Sequence, residues 1–316
     1  MSKPTKRKKT HWTKNDTELT IMALPTTIWY ILFCFLPMFG LIIAFKNYKV
    51  IGGKSFIYNL IHSEWAGVKN FMFLIKSNDL FVILRNTILY NLVFIVLGMV
   101  VSVGLAIMIS LMRNKRASKV YQTMMFFPYF MSWVVVASVF KMILDPNVTG
   151  VVNSLLLKAN MINEPIYFLG DSKYWRGTFY VMNVWKDTGW GTILFLATLS
   201  GISPDLYEAA QIDGANRWKR LIYITLPALA NTIITVFILN LAKVMNLFES
   251  VFVTMNNAVL DVAEVLQTYV YRKTFSSGNS DYGYTTAVGL FKSFVGMILV
   301  LSCNYASKKV RGRGIV

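Results

Sequence analysis

The chain is expected to be an all-α membrane protein with six transmembrane helices, and three observations carry that expectation. Of its 316 residues 55% are hydrophobic and only 15% charged, with a mean hydropathy of +0.50, an apolar balance beyond that of a soluble domain of this size. Six stretches, near 21–45, 82–112, 120–144, 177–200, 228–254 and 285–306, each supply the roughly 20 apolar residues that cross a hydrocarbon core of about 30 Å. Lys and Arg gather at alternate ends of those stretches. No water reaches the bilayer core to satisfy free backbone groups, so spans of this length are helices.

Residues 1–20 are polar and basic, with Lys3, Lys6, Arg7, Lys8, Lys9 and Lys14. The span that follows is too long for a signal-peptide core and lacks a small-residue cleavage site, so it is read as retained. Three further basic clusters are Arg113 to Lys119, Arg217 to Arg220, and the tail with Lys308, Lys309, Arg311 and Arg313. Six spans put all four clusters on one side, which the positive-inside rule makes the cytoplasm. The net charge of +17 is thus a topology signal. Nucleic-acid binding is the competing reading, and no basic helix with interleaved aromatics supports it. The organisation expected is a basic N-terminus (1–20), a six-helix membrane domain (21–306) carrying a polar loop at 203–227, and a basic tail (307–316).

That loop has its own helix signals. Ser203 is a good N-cap, and Pro204 suits a first turn where its missing N–H costs nothing. Asp205 and Glu208 place negative charge at the helix N-terminus, and Gly214 is free to adopt the left-handed turn that ends a helix. Arg217, Lys219 and Arg220 follow. The segment therefore reads as helix, glycine turn, second helix, kept slim by Ala209, Ala210 and Ala215 so that it could enter a groove on a partner. Pro227 marks the next span. An amphipathic loop that anchors its neighbours to anionic lipid is the alternative.

In the fourth span Asn183, Asp187 and Trp190 recur at i, i+4 and i+7 and so share a face, with Tyr180 and Trp185 nearby. Amides and carboxylates beside aromatic rings suit a sugar, whose hydroxyls need hydrogen bonds and whose C–H faces lie on rings. In the fifth span Asn240, Lys243 and Ser250 fall roughly on one face, with Asn246 and Glu249 adjacent. The same residues would equally serve as polar glue between helices. An intramembrane enzyme would use Asp187 and Glu249, since ionisable groups in a bilayer cost at least ~2.5–3.5 kcal/mol and mark functional paths. No nucleophile or base converges on them, and Asp187 could simply pair with Lys186 or Lys243, so no catalytic residue is assigned. Nor is a metal site. Cys34 and Cys303 lie inside spans as packing residues, and His11 and His62 fall on opposite sides of the membrane. The Asn147-Val148-Thr149 sequon is set aside as a chance match. There is no GxxxxGK[ST] phosphate loop, so the chain offers no ATP site of that kind.

The order Glu208-Ala209-Ala210, three residues, Gly214, nine residues, Ile224, one residue, Leu226-Pro227 resembles the EAA loop of ABC importer permeases. Asp213-Gly214-Ala215 and Thr225-Leu226-Pro227 are similar to its carbohydrate branch, the maltose and glycerol-phosphate type. Gly67 to Phe71, Arg85-Asn86-Thr87, Pro128, Gly150 to Leu156, Trp185 with Gly189, and Asp281 to Tyr284 also look like that branch, so the resemblance runs from about residue 15 to the C-terminus. Phe140 departs from it, standing where such permeases often carry Trp.

The resemblance implies a type I ABC importer permease fold in a bacterial plasma membrane, both termini cytoplasmic, with the loop helix as coupling element through Glu208, Ala209, Ala210, Asp213 and Gly214. It implies an alternating-access importer of a carbohydrate, in the first place an oligosaccharide, or alternatively of a polyol or glycerophosphodiester. It implies as partners a second homologous permease, two ATP-binding subunits that hold ATP and magnesium, an extracytoplasmic solute-binding protein, and membrane lipid. Asn183 matches a family path position by its distance from Glu208. Asp187, Trp190, Asn240, Lys243 and Asn246 match by helix position only.

Overall fold

A computed structural model of the chain describes residues 12–76, 78–147, 150–276 and 281–311. The sequon's Val148 and Thr149, His11, the basic residues before Trp12 and those beyond Arg311 lie outside them. The helices, in chain order, are α1 (Lys14–Tyr30), α2 (Phe56–His62), α3 (Lys69–Lys76), α4 (Asn78–Ser110), α5 (Lys115–Phe126), α6 (Trp133–Ile143), α7 (Val151–Lys158), α8 (Ser172–Ser200), α9 (Pro204–Ile212), α10 (Arg217–Arg220), α11 (Leu226–Leu241), α12 (Glu249–Thr254), α13 (Leu260–Ala263), α14 (Leu266–Tyr271) and α15 (Tyr282–Arg311). Strands β1 (Lys46–Asn47) and β2 (Glu64–Trp65) form a small antiparallel pair, Lys46 opposite Trp65. The chain divides into two compact units, residues 1–71 with 281–290, and residues 72–280 with 291–316.

In the first unit α1 runs on through a π turn (Ile31–Phe35) and a 3-10 segment (Leu36–Phe45). Lys46 Nζ donates to Leu60 O at 2.6 Å and Ser63 O at 3.3 Å, where a cation neutralises the exposed carbonyls at the end of α2. Asn70 Nδ2 donates to Ala44 O (2.8 Å) and Lys46 O (3.2 Å). A Cβ on Gly283 would stand 2.5 Å from Lys46 O. The family-like segments 67–71 and 281–284 are therefore explained by packing: an amide that ties down a chain reversal, and a glycine that lets backbone through.

The second unit is built on α4 and α8. Tyr90 packs edge-on against Trp175 and Phe179 (centroids 5.8 and 5.7 Å), and these rings are fully buried. Tyr90 OH donates to Val262 O, and Thr87 Oγ1 accepts from Leu266 N at 2.9 Å. Asn86 Nδ2 donates to Glu264 O at 3.2 Å, so the Asn86-Thr87 pair clamps the loop between α12 and α14 to the start of α4. Asn153 does the same for the turn before α8, donating to Asp145 O and Ile166 O and accepting from Ile166 N (2.8–3.0 Å).

Among the described residues four helical runs are long and apolar enough to cross a membrane: Lys14–Phe45, Leu80–Ser110, Arg217–Leu241 and Tyr282–Lys309. The expected third span is not one straight helix. Lys115–Phe130 and Trp133–Ile143 meet at 103°: the 3-10 turn Phe127–Phe130 ends where Met131 turns to extended backbone, and Ser132 starts a new helix by accepting from Val135 N. The expected fourth span is an unbroken 29-residue helix, α8, about 43 Å long; its polar face makes it less apolar than those four runs. The expected fifth span stops at Leu241. Five crossings are thus reached when the bent pair is counted as one.

Candidate functional site

The polar loop folds as its residues require. Ser203 Oγ accepts from Asp205 N, opening α9 with Pro204 in its first turn. At the other end Gly214 takes φ +76°, with Ala215 N donating to Ala210 O (2.8 Å) and Gly214 N to Gln211 O (3.1 Å). This pair of crossed bonds is the Schellman closure, which needs a left-handed residue at the glycine. Asn216 then caps α10 through Lys219 N at 2.9 Å. Tyr207 OH lies 3.0 Å from Thr225 Oγ1 and so ties α9 to the start of α11. Glu208, Ala209, Asp213 and Gly214 are exposed, Ala210 is half-buried, and α9 has no buried residue. Ile212 (87% exposed) and Leu206 (54%) present apolar surface on a helix otherwise built of polar and small residues.

A cavity of about 520 Å³ lies within the second unit, and all six candidate path residues border it: Asn183, Asp187 and Trp190 from α8, Asn240 from the end of α11, and Lys243 and Asn246 beyond it. Lys243 does not share with Asn240 and Ser250 the helix face that the spacing suggests, and neither it nor the adjacent Asn246 lies on a helix. Residues 242–248 form a break, tightened by bonds from Lys243 N to Asn240 O (3.0 Å), Val244 N to Leu241 O (3.1 Å) and Asn246 N to Lys243 O (2.7 Å). The break turns these side chains into the cavity, together with Glu249 and Ser250 at the start of α12.

The opposite wall is aromatic. Trp190 stacks on Tyr129 (5.3 Å between centroids, 15°) and on Phe126 (6.1 Å, 21°). Gly189 makes this possible: a Cβ there would sit 2.0 Å from Met125 O, so only glycine lets α8 approach the end of α5 closely enough to bring those rings together. Lys186, almost fully buried, donates to Tyr129 O at 3.1 Å, lies over the Tyr129 and Trp133 rings, and stands 3.7 Å from Asp187 Oδ1. Of the two partners weighed for Asp187, the structure places Lys186 beside it. The Asp187 side chain stays 47% exposed to the cavity, so its carboxylate keeps open lone pairs. Asn183, Asn240 and Lys243 make no side-chain hydrogen bond among the described residues. Trp185 faces elsewhere, edge-on to Phe140 at 5.5 Å.

Sequence reasoning missed Asn91, Ser102, Tyr129 and Trp133, which border the same cavity. Tyr129 follows Pro128, the one local sign that this segment is not a plain lipid-facing span. Asn91 carried no such sign, since its position in an apolar helix is equally that of helix glue.

A helical, multi-pass chain with a polar cavity among its helices and a capped polar hairpin between two of them has the make-up of a solute permease. The comparisons narrow that class. Residues 96–312 match the family described as the binding-protein-dependent transport system inner membrane component, and the chain belongs to that family. It is 37% identical to Protein LplB of Bacillus subtilis (strain 168), over 96% of this chain and 92% of that one. It is 35% identical to the polygalacturonan/rhamnogalacturonan transport system permease protein YteP of the same organism, over 94% of this chain and 89% of the relative. A solved bacterial alginate ABC transporter in complex with alginate pentasaccharide-bound periplasmic protein has a chain that superposes with a TM-score of 0.84 at 32% identity, covering 96% of this chain and 98% of that one. The fold is the type I ABC permease fold, and the family is a transport component rather than an enzyme.

Proposed function

We propose that this chain is the permease subunit of an ATP-driven, binding-protein-dependent importer of a carbohydrate, in the first place an oligosaccharide, working by alternating access. The observation that carries the reading is the single cavity onto which Asn183, Asp187 and Trp190 converge with Asn240, Lys243 and Asn246. Carboxylate, amides and a stacked aromatic wall are what a hydroxyl-rich ring with apolar C–H faces requires. The relatives support the substrate class, being named for polygalacturonan, rhamnogalacturonan and alginate.

In this reading the protein crosses the membrane six times, with the bent α5–α6 pair as the third crossing and polar α8 as the fourth. Residues 1–20, the 203–227 hairpin and residues 307–316 face the cytoplasm. The hairpin is the coupling element: Glu208, Ala209, Ala210, Asp213 and Gly214 meet a cleft on an ATPase subunit, and the exposed Leu206 and Ile212 gain cover there. Two such ATPase subunits bind ATP and magnesium, a second homologous permease completes the pathway, and an extracytoplasmic binding protein delivers the sugar. Closure of the ATPase pair is transmitted through the hairpin, and Tyr207–Thr225 passes the movement to α11, whose far end carries the cavity break.

The test is uptake of a labelled panel of neutral and acidic oligosaccharides, a polyol and a glycerophosphodiester by cells carrying the whole system. Carbohydrate uptake is expected; uptake of the polyol or phosphodiester alone would replace the substrate class. Asp187→Asn and Trp190→Ala are each expected to lower the sugar response of the complex about tenfold, the scale of one charged hydrogen bond or one good stacking contact, without dissociating it. An unchanged response in both would reduce these residues to packing.

A further inference from the structure

Lys292 is an ionisable residue in the middle of α15, within a run apolar enough to span the membrane. Such a residue needs a partner and marks a functional place. Its partner is at hand: Lys292 Nζ donates to Asn246 Oδ1 at 2.9 Å, and Gln267 Nε2 reaches the same oxygen at 3.5 Å. Asn246 borders two cavities, the path cavity on one side and a smaller one of about 450 Å³ on the other, and Lys292 lines only the smaller. The cation thus stands behind the amide as seen from the path.

This arrangement fixes which way the amide faces. An ammonium has three donors and no acceptor, so the atom it holds must be the carbonyl oxygen. With Oδ1 committed to Lys292, the Nδ2 group is left as the donor that Asn246 offers to the path. An unrestrained amide at a cavity wall could turn either way and offer either polarity. Simple glue between two helices would need only some polar pair here; a donor-only cation is the choice that leaves a single orientation.

We propose that Lys292 is a positioning residue of the transport path: it locks the Asn246 amide so that Nδ2 donates to an acceptor oxygen of the passing saccharide, a hydroxyl or a carboxylate. The inference rests on the carbohydrate-importer reading above. Lys292 itself touches no substrate and acts through Asn246.

The experiment uses the complete transporter in proteoliposomes with its sugar-loaded binding protein, and reads sugar taken up per ATP hydrolysed. Lys292→Met is expected to lower that ratio about tenfold while ATPase stimulation by the loaded binding protein stays within twofold. Lys292→Arg, which keeps a donor-only cation, is expected to restore most of it. Asn246→Ala and the Lys292→Met/Asn246→Ala double variant are expected to match Lys292→Met, since both residues serve one contact. A wild-type ratio in Lys292→Met, or additive losses in the double variant, would overturn the proposal. The pairing itself is tested without sugar by thermal unfolding in detergent: Asn246→Asp should be tolerated opposite Lys292 but lower the melting temperature when combined with Lys292→Met. Equal effects in both backgrounds would show that the pair does not form. A wild-type complex that accumulates no carbohydrate would instead fail the importer reading, leaving the melting result to decide on the pair.

Discussion

Gly214→Val is expected to lower transport about 5–30-fold while the chain still inserts into the membrane at its normal level. Gly214 sits at φ +76°, and a Cβ added there would meet nothing within 4 Å. The cost is therefore conformational rather than steric: the left-handed region costs an ordinary residue about 1–2 kcal/mol, and a β-branched residue is a genuine outlier in it. That energy is a factor of about 5–30 in a two-state ratio, here between the closed hairpin and one that has lost the Ala215–Ala210 and Gly214–Gln211 bonds. Insertion should not change, because α9 has no fully buried residue and lies outside the spans. Asn, which visits the left-handed region readily, is the control: Gly214→Asn should retain most transport. Uptake by the two variants, normalised to membrane abundance by immunoblot, checks this. Equal transport by the valine and asparagine variants would show that the glycine turn has no part in coupling.

Gly189→Ala carries the second large effect, through the cavity rather than the hairpin. Its Cβ would lie 2.0 Å from Met125 O, 2.7 Å from Met125 C and 2.9 Å from the Phe126 Cα. These are backbone atoms of the neighbouring helix, which cannot rotate aside, so α5 and α8 must part. Overpacking of this kind costs about 1–3 kcal/mol, and the separation pulls Tyr129 and Phe126 off Trp190. The expected result is a lower melting temperature in detergent together with loss of sugar-stimulated ATPase activity. Gly191 is the contrast. Its added Cβ would meet Ser102 Oγ at 2.5 Å and Ser102 Cβ at 3.0 Å; the hydroxyl can turn, giving up its bond to Thr188 O, and no backbone atom blocks the way, so Gly191→Ala should be milder than Gly189→Ala. If Gly189→Ala melted as the wild type and kept its sugar response, the close approach of α5 and α8 would not be what shapes the aromatic wall.

The features legible in the sequence were those with local causes. Ser203, Pro204 and Gly214 specify the hairpin through capping and left-handed turn chemistry, with no need of the rest of the protein. The apolar runs place α1, α4, α11 and α15, because the bilayer imposes length on them one at a time. The bend after Pro128 was signalled by that proline and by the Ser132 cap, yet a straight span from 120 to 144 was the simpler reading of the hydropathy. The break at 242–248 had no signal of that kind: Ala-Lys-Val-Met-Asn-Leu-Phe contains neither Gly nor Pro, and the helix stops because tertiary packing holds Val244, Met245 and Leu247 inside. For that reason the helical face that the sequence suggests for Asn240, Lys243 and Ser250 does not continue past Leu241. Tyr129, Asn91 and Lys292 were invisible as site residues, because their roles come from elements distant in sequence that meet only in the folded chain.

Whether an ATPase drives this permease through the 203–227 hairpin is decided by affinity purification of the tagged chain from its own membrane in mild detergent. The co-purifying subunits are identified and ATPase activity is measured for the wild type and Glu208→Lys. Glu208 is exposed at the middle of α9, so the change should spare the fold while reversing the charge on the proposed coupling surface. Recovery of an ATPase subunit and a second permease with the wild type, and their loss or an uncoupled ATPase with Glu208→Lys, is the predicted result. A wild-type chain recovered alone, or a Glu208→Lys complex whose activity still responds to sugar as the wild type does, would contradict it.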